Sequence, residues 1–452
     1  MLIFIGLVSA SAVFLSPGFL LALVTMLYTF ESSGALPDGI GTIAVIAGMG
    51  FWIFRLRRRV SLTPVDFLVL ALLALRCFSA IYSPDLEADV LLSAVRASAY
   101  LGGMFVLGRL VAGSGHKDTI GREWLIFMIP VAMVYSLGVR VVTGGGHRYI
   151  IENATAVGAS VPIGLWVAMS ATVIVTWCFG KSDRSSDDGW YRKVTKSALL
   201  MTSVLLGISY GVILLLENGT RGALIGAIAA VTMALLVCTT GRRYWIVLLL
   251  AAGSMFPLAS LLESSGFISY LNGGSWGRLG RSVVDFLSLF GVDSGGKVLD
   301  ASSTARVIIQ SRALELFQDS VIFGQGYGSS SYYLGIYPHN IFLELAMEQG
   351  IVGVVILFAL LSVVWRNLVA SLMSGNEMGR IILSSAFVML FVQYQFSFTI
   401  DNAQVLFFLI GTLASSPKER PDWTFTQEGT SAAKQENRHS LATDQPFGLS
   451  RW

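Results

Sequence analysis

A succession of apolar runs, each long enough to cross a bilayer, constrains this chain more than any single motif. Candidate spans lie near 2–30, 39–54, 65–82, 91–112, 123–142, 155–179, 198–216, 222–240, 244–262, 350–366, 381–397 and 400–414. A helix of about 20 mostly apolar residues crosses the hydrocarbon core. The first run is interrupted at Ser16-Pro17-Gly18, so it reads as one kinked helix or two half-spans, and the last two runs are joined tightly. Only 13% of residues are charged and 54% are hydrophobic, against about 25% charged in a soluble globule. The fold class that follows is an all-α polytopic membrane protein with about twelve transmembrane helices. A formal charge of +3 is too small to point to nucleic acid. Cys77, Cys178 and Cys238 lie in apolar runs and read as small buried hydrophobes, with no disulfide or zinc spacing. Residues 1–30 lack a basic start and a cleavage site, which predicts a retained first span in place of a signal peptide.

Loop charge sets the orientation. Basic clusters follow two runs directly, at Arg55-Leu56-Arg57-Arg58-Arg59 and Gly241-Arg242-Arg243. The stretch 180–197 carries Lys181, Arg184, Arg192, Lys193 and Lys196, and Arg366 and Arg380 flank a further short loop. With twelve spans all of these fall on the side of both termini, which the positive-inside rule makes cytoplasmic. The acidic stretch Ser83-Pro84-Asp85-Leu86-Glu87-Ala88-Asp89 falls on the other side. Its three carboxylates suit either a divalent metal or, more simply, a solvated loop. The predicted organisation is nine transmembrane helices over 1–262, an outer cap over 263–350, three more helices over 351–414, and a disordered cytoplasmic tail over 415–452. Helical periodicity around Thr304–Gln318 and Asn340–Gln349 predicts a folded cap.

The polar residues on the outer side carry the chemistry. Of four histidines, His147 and His339 fall there. His339 stands in Tyr337-Pro338-His339-Asn340, where the cap turns into a helix whose Glu344 and Glu348, at i, i+4, form one acidic face. It reads either as a surface histidine or as a general base, since imidazole titrates near neutrality. Arg221 sits in the very short outer turn Glu217-Asn218-Gly219-Thr220-Arg221, and Arg306 opens a cap helix. An arginine at a helix-pair mouth is costly unless paired or wetted. Guanidinium forks bind phosphate oxygens bidentately, so two of them suit a diphosphate. Arg140, His147, Arg148 and Asn153 surround the outer end of the fifth span; Arg140 reads as a snorkelling interfacial residue. Asn340, Glu344 and Asp401 complete the candidate substrate-binding set, the last two also as alternative bases. Gly324-Gln325-Gly326-Tyr327-Gly328 lacks the strand–turn–helix setting of a nucleotide loop and predicts tight backbone turns. Gly222 and Gly226 form a small-xxx-small pair for close helix packing.

These stretches resemble the O-antigen ligases and the related O-antigen polymerases. The matching residues are Thr220-Arg221-Gly222-Ala223, Ser303-Thr304-Ala305-Arg306, Asp319-Ser320, Phe323 to Gly328, Pro338-His339-Asn340, and Glu348-Gln349-Gly350-Ile351-Val352-Gly353, within roughly 200–365. The resemblance implies a GT-C-like membrane glycosyltransferase of the bacterial inner membrane, needing no metal or other cofactor. It would move a glycan from undecaprenyl diphosphate to lipid A–core on the periplasmic face, with inversion, to complete lipopolysaccharide. It implies His339 as the base and Arg221 and Arg306 as holders of the donor diphosphate; His147, Arg148, Asn153, Asn340, Glu344 and Asp401 stay candidate substrate contacts by their position in the sequence. A polymerase with the same donor chemistry is the nearest alternative. A transporter of a polyanionic lipid is more remote, its best support being Arg96 and Arg109 in the fourth span.

Overall fold

A computed structural model describes residues 16–32, 40–55, 62–85, 88–113, 119–129, 157–179, 198–212, 221–238, 301–373, 378–396 and 399–414. Among these, the chain is helical, with no strand. The candidate span 244–262, cap residues 263–300 and the tail lie outside the described residues.

The first described helix, α1 (Pro17–Ser32), starts where the sequence shows an interruption. Ser16 Oγ accepts the Phe19 N–H at 3.0 Å, and Pro17 takes the first helical position, where no N–H is needed. Then come α2 (Ile40–Arg55), α3 (Pro64–Ser79), α4 (Ala88–Gly113), α5 (119–129), α6 (Val157–Phe179), α7 (Ala198–Leu206, continued by a π-turn over Gly207–Gly211) and α8 (Arg221–Cys238). The segment expected to cap the bundle contributes α9 (Ala301–Asp319) and α10 (Ser329–Leu334). The chain then enters α11 (Ile341–Met373), followed by α12 (Met378–Gln393) and α13 (Gln404–Ala414). Among the described residues, three helical stretches are long and apolar enough to cross a membrane, Pro64–Tyr82, Asp89–Gly113 and Ile341–Ala370. Each matches a span read from hydropathy, and shorter apolar helices cover parts of others, such as Pro162–Cys178 and Gly379–Gln393.

The core runs through the bundle around Trp124, Trp166, Phe387, Phe407 and Phe408. α13 lies against α4, and α8 lies against both α6 and α12. A Cβ on Gly226 would come within 2.6 Å of the Met389 carbonyl oxygen, so at Gly226 two helix backbones do come together. Thr172 Oγ1 donates to Ser385 Oγ at 2.9 Å across the α6–α12 interface. Large apolar side chains, Phe67, Leu70, Leu92 and Phe358 among them, face outward, as a bundle solvated by lipid requires. The cysteines divide: Cys238 is buried, Cys77 is half-buried and Cys178 is exposed. Cys178 corrects the expectation of burial, because apolar runs here also supply the outward face.

The two arginines of α4 sit in different settings. Arg109 Nε donates to Asp66 Oδ1 at 3.0 Å and its Nη2 to Asp66 Oδ2 at 3.2 Å. Asp66 also accepts the Thr63 N–H at 2.6 Å and so closes the N-terminus of α3. This pair ties α3 to α4, and Arg96 is exposed.

Candidate active site

One end of the bundle gathers the polar residues, and the glycine-rich segment builds it. Gly350 interrupts α11 with φ 66° and ψ −163°, and the segment 321–326 lies against the break. Ile351 N–H donates to the Val321 carbonyl at 2.8 Å, Gln325 N–H to that of Met347 at 2.7 Å, and Gly326 N–H to that of Glu348 at 3.1 Å. Backbone groups freed by the broken helix are thus paired. A Cβ on Gly350 would meet the Ile322 carbonyl oxygen at 2.2 Å, and one on Gly324, with φ 72°, would meet Glu348 backbone at 2.5 Å. The glycines therefore permit backbone turns, as the sequence predicts. Ser83 Oγ donates to the Tyr327 carbonyl at 2.8 Å, which fixes the loop to the end of α3.

The loop and the broken helix set Glu348, whose Oε1 accepts Ser330 Oγ–H at 2.8 Å and Gly328 N–H at 3.2 Å. Glu344, one turn earlier, accepts the Ile400 N–H at 3.1 Å. Both are only 2% exposed, so the acidic face points inward. Between them and the 3-10 turn Ile400–Asn402 stands Arg76, a residue that sequence reasoning misses. Its signal is a lone arginine inside an apolar run, a functional hypothesis by default. Arg76 is 1% exposed. It donates to Asp401, its Nη1 lies 3.8 Å from Glu348 Oε2, and its guanidinium stands 4.7 Å from the Tyr327 ring centre. Tyr327 Oη donates in turn to Asp401 Oδ2 at 2.9 Å. Asp401 and burial both push the Tyr327 hydroxyl above its ordinary range, burial the more strongly.

His339 lies next to this network. Among the described residues it alone combines a positive φ, 59°, with a side chain. Buried Pro338 precedes it, and Asn340 follows, its Oδ1 accepting the N–H groups of Phe342 and Leu343 at 3.0 Å each. Asn340 thus caps the helix through its side-chain oxygen. The imidazole packs edge-on against Tyr337, ring centres 4.5 Å apart, and its Nδ1 is buried without a hydrogen-bond partner. Burial, then the Arg306 charge, lowers its pKa to about 4, which keeps the ring neutral at physiological pH. Burial also raises the Tyr337 hydroxyl, Glu344 adding to that effect and Arg306 opposing it. The structure so brings together His339, Arg306 and Tyr337, with Glu344 and Asp401 nearby around a cavity of about 500 Å3. Arg221 is the first residue of α8. His147, Arg148, Asn153 and Arg140 lie outside the described residues.

Residues 204–359 match the family model described as O-antigen ligase. The chain carries an O-antigen ligase domain. That domain runs from α7 to α11 and includes Arg221, Arg306, the glycine-rich loop, His339 and Gly350. It assigns the chain, at a coarse level, to the ligase and polymerase type of membrane glycosyltransferase, which works on a lipid-linked glycan and a lipid acceptor. No curated protein matches the chain. Of the cavity lining, Asp85, Asp89 and Asp401 lie outside the O-antigen ligase match, as does Arg76, which pairs with Asp401.

Proposed function

We propose that the protein transfers a glycan from undecaprenyl diphosphate to lipid A–core at the periplasmic face of the bacterial inner membrane, without a metal ion. The observation that carries this reading is a half-buried imidazole whose Nδ1 is buried without a hydrogen-bond partner, next to an arginine, at the helix entry of an O-antigen ligase domain. In the reaction the bond between the anomeric carbon and the diphosphate oxygen breaks. A bond forms from the acceptor hydroxyl oxygen to that carbon, and the hydroxyl proton passes to His339. A single displacement inverts the anomeric centre. Arg306 and Arg221 hold the diphosphate and stabilise the charge that develops on it as it leaves.

The depressed pKa leaves His339 neutral but only weakly basic in the free enzyme. Arg306 is one of the two causes of the depression, and an anionic donor on Arg306 offsets that charge. The imidazole then becomes more basic when the donor is bound. The acid limb of kcat, which reports the complex, accordingly lies at higher pH than that of kcat/KM, which reports the free enzyme.

The test is transfer by the purified full-length protein from a lipid-linked donor, offered lipid A–core in one arm and a second lipid-linked repeat unit in the other. Product on lipid A–core is expected. Product on the repeat unit alone makes the protein a polymerase, and no product in either arm refutes the reading. His339→Gln should lose about 10²- to 10⁴-fold in rate, with donor binding kept.

A further inference from the structure

The turn between α9 and α10 sets three apolar residues in a row at the surface. Val321 is 45% exposed, Ile322 59% and Phe323 52%. Three consecutive apolar side chains turned outward are a fault in a water-facing turn unless something covers them. Polar residues lead up to them. Gln318 and Asp319 are exposed at the end of α9, and Arg312 pairs with Glu315 on its outer surface at 2.6 Å. The base of the turn is closed by Gly324 N–H, which donates to the Ser320 carbonyl at 2.9 Å, and by Ser320 Oγ, which donates to the Gly324 carbonyl at 2.7 Å. The tip is thus held in shape from its base, and its side chains are left free to face outward.

Backbone pairing fixes the depth of this tip. The break at Gly350 leaves the first N–H groups of the second piece of α11 without helical partners. The tip supplies them: the Val321 carbonyl accepts Ile351 N–H at 2.8 Å, and the Ile322 carbonyl accepts Val352 N–H at 3.4 Å. The Phe323 carbonyl accepts Tyr82 Oη–H at 2.8 Å, which ties the tip to the end of α3 as well. Both helices are long and apolar enough to cross a membrane. Beyond the break the next charged residue is Arg366, about 24 Å further along a helix. The hydrocarbon core is about 30 Å thick. With Arg366 reaching the far face, the break and the tip paired to it lie at or inside the hydrocarbon boundary. The surroundings agree. Phe78 and Ile81 on one side and Ile351 and Val355 on the other are exposed, and the Tyr82 ring packs edge-on against Phe78, centres 5.9 Å apart. Through Tyr82, of a residue type favoured at the membrane–water boundary, the tip joins the lipid-facing surface of α3.

We propose that Val321-Ile322-Phe323 is a wedge seated in the bilayer leaflet on the active-site side, its three side chains among the upper acyl chains. Lipid is the partner because the tip carries no charge, continues a lipid-facing surface and sits at the depth where an apolar helix breaks. At that depth water does not serve the freed N–H groups, so the carbonyls of the tip must. The segment expected as a cap therefore dips into the membrane between α9 and α10. The same turn leads into the glycine-rich loop, whose Gly328 N–H meets Glu348, so the leaflet anchors the loop that helps to build the site. The proposal goes beyond the glycan-transfer reading and stands without it.

Spin-label accessibility on the full-length protein in lipid nanodiscs tests it. A nitroxide is placed at Ile322→Cys or at Phe323→Cys, one at a time, in a chain whose Cys77, Cys178 and Cys238 are replaced. Collisions with oxygen, which concentrates in hydrocarbon, are compared with collisions with a water-soluble nickel chelate. Arg312→Cys, exposed on α9, is the water reference, and Phe358→Cys, exposed on the second piece of α11, is the lipid reference. At both tip positions oxygen should exceed nickel as it does at Phe358→Cys, with the ratio reversed at Arg312→Cys. The wedge is refuted if the tip is as open to nickel as Arg312→Cys. It is refuted equally if the tip is closed to both reagents, which would put a protein surface over it, such as a second copy of this chain. Both labelled residues are exposed, and either variant that folds decides the question. Transfer activity enters neither outcome, so the failure of this proposal and the failure of the functional reading are separate results.

Discussion

His339 carries two local costs that a merely structural residue would shed. A non-glycine side chain in the left-handed region costs about 1–3 kcal/mol, and its Nδ1 is buried with no partner. Asparagine tolerates that backbone better. His339→Asn should therefore unfold at the same or a higher temperature than wild type, measured by thermal denaturation, while transfer falls by about 10²- to 10⁴-fold. The pH profile gives an independent check. The base works when neutral, and its pKa is lowered from 6.5 to about 4. The rate kcat/KM should then hold steady through neutral pH and drop only as pH falls through about 4. Arg306→Gln removes one lowering cause, so the limb should move up toward 6.5. The sign for stability is the same. The unfolded chain takes up this proton below 6.5 and the folded one only below about 4, so stability declines as pH falls across that window. Arg76 makes a different prediction. Arg76→Met leaves Glu348 buried and Asp401 partly buried without their cation. Breaking a buried pair costs about 3–5 kcal/mol, and the partial exposure of Asp401 puts the expected loss at the low end. Adding Asp401→Asn should restore part of it in denaturant titrations.

The decisive element is α11, two helical pieces joined at Gly350. Hydropathy starts a candidate span at 350, where the helix in fact breaks. The piece before the break belongs to the site and the piece after it to the bundle. Gly350→Ala must place a Cβ 2.2 Å from the Ile322 carbonyl oxygen in a φ > 0 conformation. It should destabilise the protein by about 1–3 kcal/mol or more and lower transfer with it, because Glu344 and Glu348 lie on the piece that ends at that junction. At the other end of the short piece, Asn340→Asp keeps a capping oxygen and should retain transfer, whereas Asn340→Ala loses about 1 kcal/mol. Loss of transfer in Asn340→Asp at wild-type stability would return Asn340 to the substrate contacts. Only part of this element is legible in sequence. The periodicity of Asn340–Gln349 announces a helix, and the glycines announce turns. That the glycine-rich loop pairs with the break is a backbone contact between separate segments, which no local pattern encodes.

At the scale of the molecule, loop charge and the parity of twelve spans predict both termini in the cytoplasm and the site outside. Ser331→Cys, in a chain whose native cysteines are replaced, should react with an impermeant thiol reagent in intact spheroplasts. Thr119→Cys should react only after permeabilisation, and equal labelling of the two would refute the orientation. Hydropathy reads transfer free energy residue by residue along the chain, so the helical membrane class and the long apolar helices follow from the sequence alone. His339 and Arg306 are legible too, since few polar groups remain once the apolar runs are set aside. Arg76 is not. Its partner Asp401 lies 325 residues further along, and Glu348 and Tyr327 come from two other segments. The sequence marks a buried charge as costly, but only the packed bundle decides which carboxylates offset it. The cavity they surround arises in the same way, from helices that meet only when the chain is folded.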